Sequence, residues 1–167
     1  TREAALDLFA THWQATVDQV APGQDLETIR ATAGDAMRRY LTLENPSAVE
    51  PVDNGLERQV TGELGGIPIG GKIDRIEPGI VGLRIVDYKT GSAKPPYCGP
   101  YWRQQLVYAA LLDDDADPVS EVALMFLGEQ SRVMTRPVTD SAIARVTSDL
   151  ATAHEQRATF DAAGRWE

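Results

Sequence analysis

Asp74, Asp87 and Lys89 are the side chains of this chain whose types and spacing could do chemistry together. They lie within the segment Gly71–Gly91, GKIDRIEPGIVGLRIVDYKTG. The segment predicts two strands, Ile67–Glu77 and Leu83–Lys89, reversed by a turn that Pro78-Gly79 and Gly82 make sterically easy. Side chains alternate along a strand, so Asp87 and Lys89 share one face while Val86 and Tyr88 occupy the other. Antiparallel pairing brings Asp74 opposite Asp87, with cross-strand Cβ atoms about 5 Å apart. Two carboxylates at that separation can grip one hard cation. Leu83, Ile85 and Val86 mark the second strand as mostly buried, and a buried carboxylate needs a cationic partner or a metal ion. A structural Asp87–Lys89 or Asp74–Lys89 pair is the competing explanation.

The run Gly71-Lys72-Ile73-Asp74-Arg75, followed by Ile85-Val86-Asp87-Tyr88-Lys89-Thr90-Gly91, resembles the RecB-like exonuclease branch of the PD-(D/E)XK nuclease superfamily. The resemblance implies an α/β fold: a restriction-endonuclease-like core with a mixed central β-sheet flanked by helices and an N-terminal helical pair. It implies a single domain over 1–167, with a helical cover at 1–46 and a catalytic core at 55–163. Asp74, Asp87 and the backbone carbonyl of Tyr88 would then hold Mg²⁺ or Mn²⁺, with Lys89 orienting the attacking water or stabilising the pentavalent charge. An acid on the preceding strand often joins such a site directly or through water; Glu57 fills that place here, with Glu63 as its rival. Gln104 and Tyr108 match the family's Gln-x-x-x-Tyr motif, which helps hold the DNA strand or the catalytic lysine. Arg75 is a further candidate for substrate binding.

Some positions depart from the pattern. The family histidine sits in a Gly-x-x-x-His helix, whereas this chain has Leu8-Phe9-Ala10-Thr11-His12, so His12 is expected to be a partly exposed helical histidine. Many relatives carry an iron–sulfur cluster held by one cysteine before the domain and three after it. Cys98 is the only cysteine here, so the cluster's ligands are missing, and both ends read as those of an excised or truncated domain.

Composition bounds these readings. A length of 167 residues suits one domain with a sizeable core, and 43% hydrophobic with 25% charged residues is ordinary for a globular protein. No apolar run approaches the ~20 residues of a membrane helix and no signal peptide opens the chain, which predicts a cytoplasmic protein with no membrane partner. A single cysteine excludes an internal disulfide. The net charge of −9 argues against nucleic-acid binding through overall charge. A local basic groove is still compatible with it, because Lys72, Arg75, Lys89, Lys94 and Arg103 cluster in or just after the hairpin.

The remaining elements must position the hairpin. Ala5, Leu6, Phe9, Trp13 and Val17 predict a helix from Arg2 to about Val20, ended by Ala-Pro-Gly at 21–23. A second helix is predicted over Leu26–Leu43, with Ile29, Ala33, Met37, Tyr40 and Leu41 inward and Asn45-Pro46 closing it. Leu56–Glu63 predicts the first strand. The Pro- and Gly-rich stretch from Ser92 to Trp102 predicts an irregular loop whose aromatics either pin it to the domain or stack on unpaired bases. A helix follows from about Trp102 to Asp113, with Gln104 and Tyr108 on one face and Gln105 facing elsewhere. The acidic turn Asp113–Asp117 lacks the ligand spacing of a calcium loop. Strands over Val119–Leu127 and Arg132–Pro137 and a last helix from Thr139-Asp140-Ser141 to about Ala163, bearing His154, complete the chain.

Three functions fit these features. The first is a metal-dependent DNA nuclease of exonuclease type acting in repair or recombination on single strands or duplex ends. The second is a catalytically weak or inactive nuclease-fold fragment that binds nucleic acid or a helicase subunit. The third is a metal-dependent phosphohydrolase of small phosphate esters.

Overall fold

The computed structural model describes residues 2–17, 23–112 and 117–162. The elements in chain order are α1 (Arg2–Thr16), α2 (Leu26–Leu43), β1 (Leu56–Leu64), β2 (Ile67–Pro78), β3 (Leu83–Lys89), α3 (Gly99–Leu111), β4 (Val119–Phe126), β5 (Arg132–Pro137) and α4 (Asp140–Ala162). The strands form one five-stranded sheet in the order β1-β2-β3-β4-β5. This is the α/β architecture expected from the sequence, a mixed sheet flanked by helices. Among the described residues no helix is long and apolar enough to cross a membrane.

The β1–β2 hairpin turns on Gly65-Gly66, whose φ values of 61° and 77° suit a two-residue reversal that residues with a Cβ resist. Its antiparallel register runs from Leu64↔Ile67 to Leu56↔Arg75 without a slip. β2 also pairs antiparallel with β3, from Pro78↔Leu83 to Arg75↔Val86. The next step is a crossover. At one end of β3 the Leu83 N–H donates to the Pro118 carbonyl (2.9 Å), and at the other the Leu127 N–H donates to the Lys89 carbonyl (2.8 Å). Both strands therefore ascend together, and α3 serves as the connection that a parallel pair requires. Val138 N–H to Ser120 carbonyl (2.9 Å) then folds β5 back along β4.

Two compact units make up the chain, one of residues 1–49, 89–93 and 125–133 and the other of 50–88, 94–124 and 134–167. In the first, Phe9 of α1 meets α2 at Gly34, where an added Cβ would lie 3.6 Å from its ring. Arg39 of α2 donates to the Leu127 carbonyl at 3.2 Å. In the second, Ile73, Ile76, Ile85, Val86, Val122, Ala123 and Leu124 are almost wholly buried. Strands buried on both faces read as near-continuous apolar runs, which explains Ile85-Val86 and Val122–Leu124.

Most expected element bounds are observed within one residue, but α3 begins at Gly99, three residues before Trp102. Pro100 causes the difference: it lacks the N–H that a first helical turn leaves unused anyway, so a residue that signals a loop here starts a helix. A single 3₁₀ turn at Pro95–Tyr97 also interrupts the loop expected there. The predicted end of α1 near Val20 and most of the acidic turn Asp113–Asp117 lie outside the described residues.

Asp25 caps α2, its carboxylate accepting the Glu27 and Thr28 N–H groups (both 3.1 Å) and the Thr28 hydroxyl (2.6 Å). The Thr28 hydroxyl and N–H hold its pKa below the ordinary aspartate value. A depressed carboxylate pKa stabilises the fold above the unfolded value and loses that contribution as pH falls through the folded one. Acid titration followed by circular dichroism should show part of the helix signal lost in that low-pH window for the parent and absent as a separate step in Asp25→Ala. Ile76, fully buried where β2 pairs with β3, should cost about 3 kcal/mol on truncation to Ala, measured by urea denaturation.

Candidate active site

The β2–β3 ladder is paired through Arg75↔Val86. One step further in that register stand Asp74 and Asp87. Here the backbone ladder gives way to a side chain: the Tyr88 N–H donates to Asp74 Oδ2 at 2.8 Å. β2 continues in register with β1 beyond this point. The β2–β3 ladder thus ends at the two acids, and the Asp74 carboxylate occupies this fork. Asp87 is buried, at 7% exposure, and Lys89 is two residues along the same strand, on Asp87's face by alternation.

The opposite face of the hairpin fixes this arrangement. Arg75, only 1% exposed, places its guanidinium 5.5 Å from the centre of the Tyr88 ring. It donates to the Tyr88 hydroxyl (2.6 Å) and pairs through Nε with Glu77 (3.0 Å). Arg84 pairs with the same Glu77 (3.3 Å) and with Glu121 of β4 (2.9 Å). A chain of alternating charges, buried at Arg75 and partly exposed at Arg84 and Glu121, therefore links β2, β3 and β4. Residues sharing a sequence neighbourhood have divided by parity: Asp74 and Asp87 one way, Arg75 and Tyr88 the other. Arg75, read from sequence as a substrate contact, is instead inside the protein holding Tyr88.

Glu57 is one of two described non-glycine residues with positive φ, at 51°. Counting along the β1–β2 register sets it across from Asp74, yet its exposed carboxylate forms an ion pair with Lys72. The left-handed backbone at this position is a local strain beside the acids that no sequence signal announced. Glu63 lies near the far end of β1, across from Pro68.

Gln104 donates to the Tyr108 hydroxyl at 3.1 Å, so the motif spacing on α3 does form a pair. Tyr108 closes over Gly71: a Cβ there would fall 2.5 Å from both Cε1 and Oη of the ring. Gly71 and Arg75 share a face of β2 by alternation, so the pair meets the sheet from the face away from Asp74. Gln105 faces elsewhere as expected, buried at 1% exposure with no hydrogen bond to either amide atom. His12 and His154 are both exposed on their helices. Cys98 is buried with its thiol toward the Lys94 carbonyl (3.4 Å). Of the loop aromatics, Trp102 is buried, while Tyr97 and Tyr101 are exposed.

Among the described residues no three His, Cys, Asp or Glu side chains gather in a metal-binding group. The side chains that the hairpin register sets near one another, Asp74 and Asp87, offer oxygen donors. Such a set fits Mg²⁺ or Mn²⁺, hard ions that bind through one or two carboxylates and keep several waters.

The contact between Tyr108 and Gly71 yields a test of packing. Gly71→Ala should lower stability by roughly 1–3 kcal/mol in urea denaturation, because the added methyl displaces the ring. In a Tyr108→Ala background the same change should cost much less, a coupling that a double-mutant cycle reads directly.

Comparison with known proteins bears on the fold and the family. A crystal structure of an exonuclease candidate from Eubacterium rectale aligns over 100% of this chain and 70% of its own, with a TM-score of 0.59 at 16% identity. No curated protein matches the sequence. The model of the PD-(D/E)XK nuclease superfamily matches residues 1–166, and the chain belongs to that superfamily.

Proposed function

We propose that this chain is a divalent-metal-dependent deoxyribonuclease of the RecB-like branch, hydrolysing phosphodiester bonds exonucleolytically in repair or recombination. The observation that carries the proposal is the end of the β2–β3 ladder at Asp74 and Asp87, with Lys89 on the strand that bears Asp87. Asp74, Asp87 and the Tyr88 carbonyl would hold Mg²⁺ or Mn²⁺. When bound, the ion polarises a phosphoryl oxygen and lowers the pKa of a coordinated water.

The protein's own groups supply the remaining requirements. Asp74 is fixed by the Tyr88 N–H, so one oxygen is oriented before any ligand arrives, and preorganisation of this kind removes a cost from the reaction step. Tyr88 is held in turn by Arg75 through its ring and hydroxyl. Arg75 is thus a positioning residue. Lys89 places a positive charge where negative charge grows on the transferring phosphoryl group. Gln104 and Tyr108 steady the adjoining end of β2.

The pairing of Glu57 with Lys72 favours a second reading, a nuclease fold that binds nucleic acid and cuts weakly or not at all.

Labelled single-stranded and duplex oligonucleotides incubated with Mn²⁺ decide between the two. The first reading expects shortening of the label that stops on chelation and falls at least on the order of 10²-fold in Asp87→Ala and in Lys89→Ala. Binding with no shortening in any protein supports the second. Metal binding is scored separately: Mn²⁺ should raise the melting temperature of the parent, and Asp74→Ala with Asp87→Ala should abolish that rise.

A further inference from the structure

Away from the fork, the unit that contains α3 and α4 has a groove of about 620 Å³. That volume lies within the range of ordinary ligand sites. Arg103 of α3, Arg136 of β5 and Arg145 of α4 all line it, against one acid, Asp149. Among the described residues none of the three arginines forms an ion pair, although Arg145 and Asp149 stand four apart on α4 and the chain carries 25 acidic side chains. In a chain of net charge −9, three arginines from three elements that line one groove with no ion pair among the described residues form a local field of the opposite sign.

The groove is also built rather than merely charged. Arg136 lies 4.6 Å from the centre of the Trp102 ring, a cation–π contact that orders its guanidinium in advance of any ligand. Trp102 is itself buried at 3% exposure, so the platform is rigid. Gly99, the first residue of α3, is at the rim. Arginine presents planar forked donors that match phosphate oxygens in pairs.

From these observations we infer that the α3–α4 groove is a second nucleic-acid site, one that grips the phosphodiester backbone of a single strand through Arg103, Arg136 and Arg145 and takes no part in hydrolysis. The inference rests on the nuclease reading for the identity of the polymer. Its geometry is independent of the metal site, because the groove uses none of Asp74, Asp87 or Lys89. It gives an acidic protein a way to hold its substrate by local charge.

The test uses the full chain carrying Asp87→Ala, so that bound strand is not consumed. Fluorescence anisotropy of a labelled single-stranded oligonucleotide is followed across a salt series. Arg136→Gln with Arg145→Gln should weaken binding on the order of tenfold and reduce the slope of log K against log salt by about 1.4, roughly 0.7 for each lost phosphate contact. Arg136→Lys with Arg145→Lys should keep most of the slope. Arg145→Gln alone, which leaves the Trp102 contact intact, should remove about half of the effect, and circular dichroism melting controls for folding.

Unchanged affinity and slope in the glutamine variants would overturn the inference. So would displacement of the oligonucleotide by polyglutamate or by a mononucleotide at matched charge concentration, which would assign the groove to an acidic protein segment or a free nucleotide. Cleavage by the parent with Mn²⁺ is scored apart: arginine-dependent binding without cleavage counts against the nuclease reading alone, and cleavage with arginine-independent binding counts against the groove alone.

Discussion

One hydrogen bond organises the hairpin that bears the two acids: the Tyr88 amide of β3 donates to the Asp74 carboxylate. A buried amide must find an acceptor, and in an unbroken ladder the facing strand supplies it. Where the two strands separate, a side chain has to substitute. The residue that substitutes is an acid, and it stands one register step beyond the Arg75–Val86 pair, across from Asp87. The same bond therefore marks the end of the ladder and orients a carboxylate.

That arrangement depends on what lies beneath it. The Arg75–Glu77–Arg84–Glu121 chain, anchored by the buried Arg75, connects β2, β3 and β4. Buried ion pairs often contribute little net stability once desolvation is counted, but removing one partner is costly because the other charge is left behind. Arg75 matters through that asymmetry. It is sandwiched between Glu77 and the Tyr88 ring and hydroxyl, so the geometry of the acids above is coupled to a charge network on the other face of the sheet.

Much of this was legible in the sequence for a simple reason. Strand alternation and hairpin register are short-range rules, so Asp-Arg followed by Asp-Tyr-Lys after a Pro-Gly turn already aligns Asp74 with Asp87 and separates them from Tyr88. Apolar periodicity likewise delimited α2 and β3. The proline-rich start of α3 misled, because the same residue that breaks a helix interior is welcome in its first turn. The role of Arg75 misled as well, since an arginine beside a catalytic acid looks like a phosphate ligand until burial shows which way it points.

The sequence by itself determined the family, the sheet's hairpin and the pairing of the two acids, because these follow from local spacing and from the motif. Tertiary structure alone decided what long-range packing governs. It turned Arg75 inward, engaged Glu57 with Lys72, and set Tyr108 on Gly71 from the face away from Asp74. It also gathered Arg103, Arg136 and Arg145 from elements far apart along the chain. No periodicity encodes such meetings, for they depend on how α3 and α4 cross the sheet.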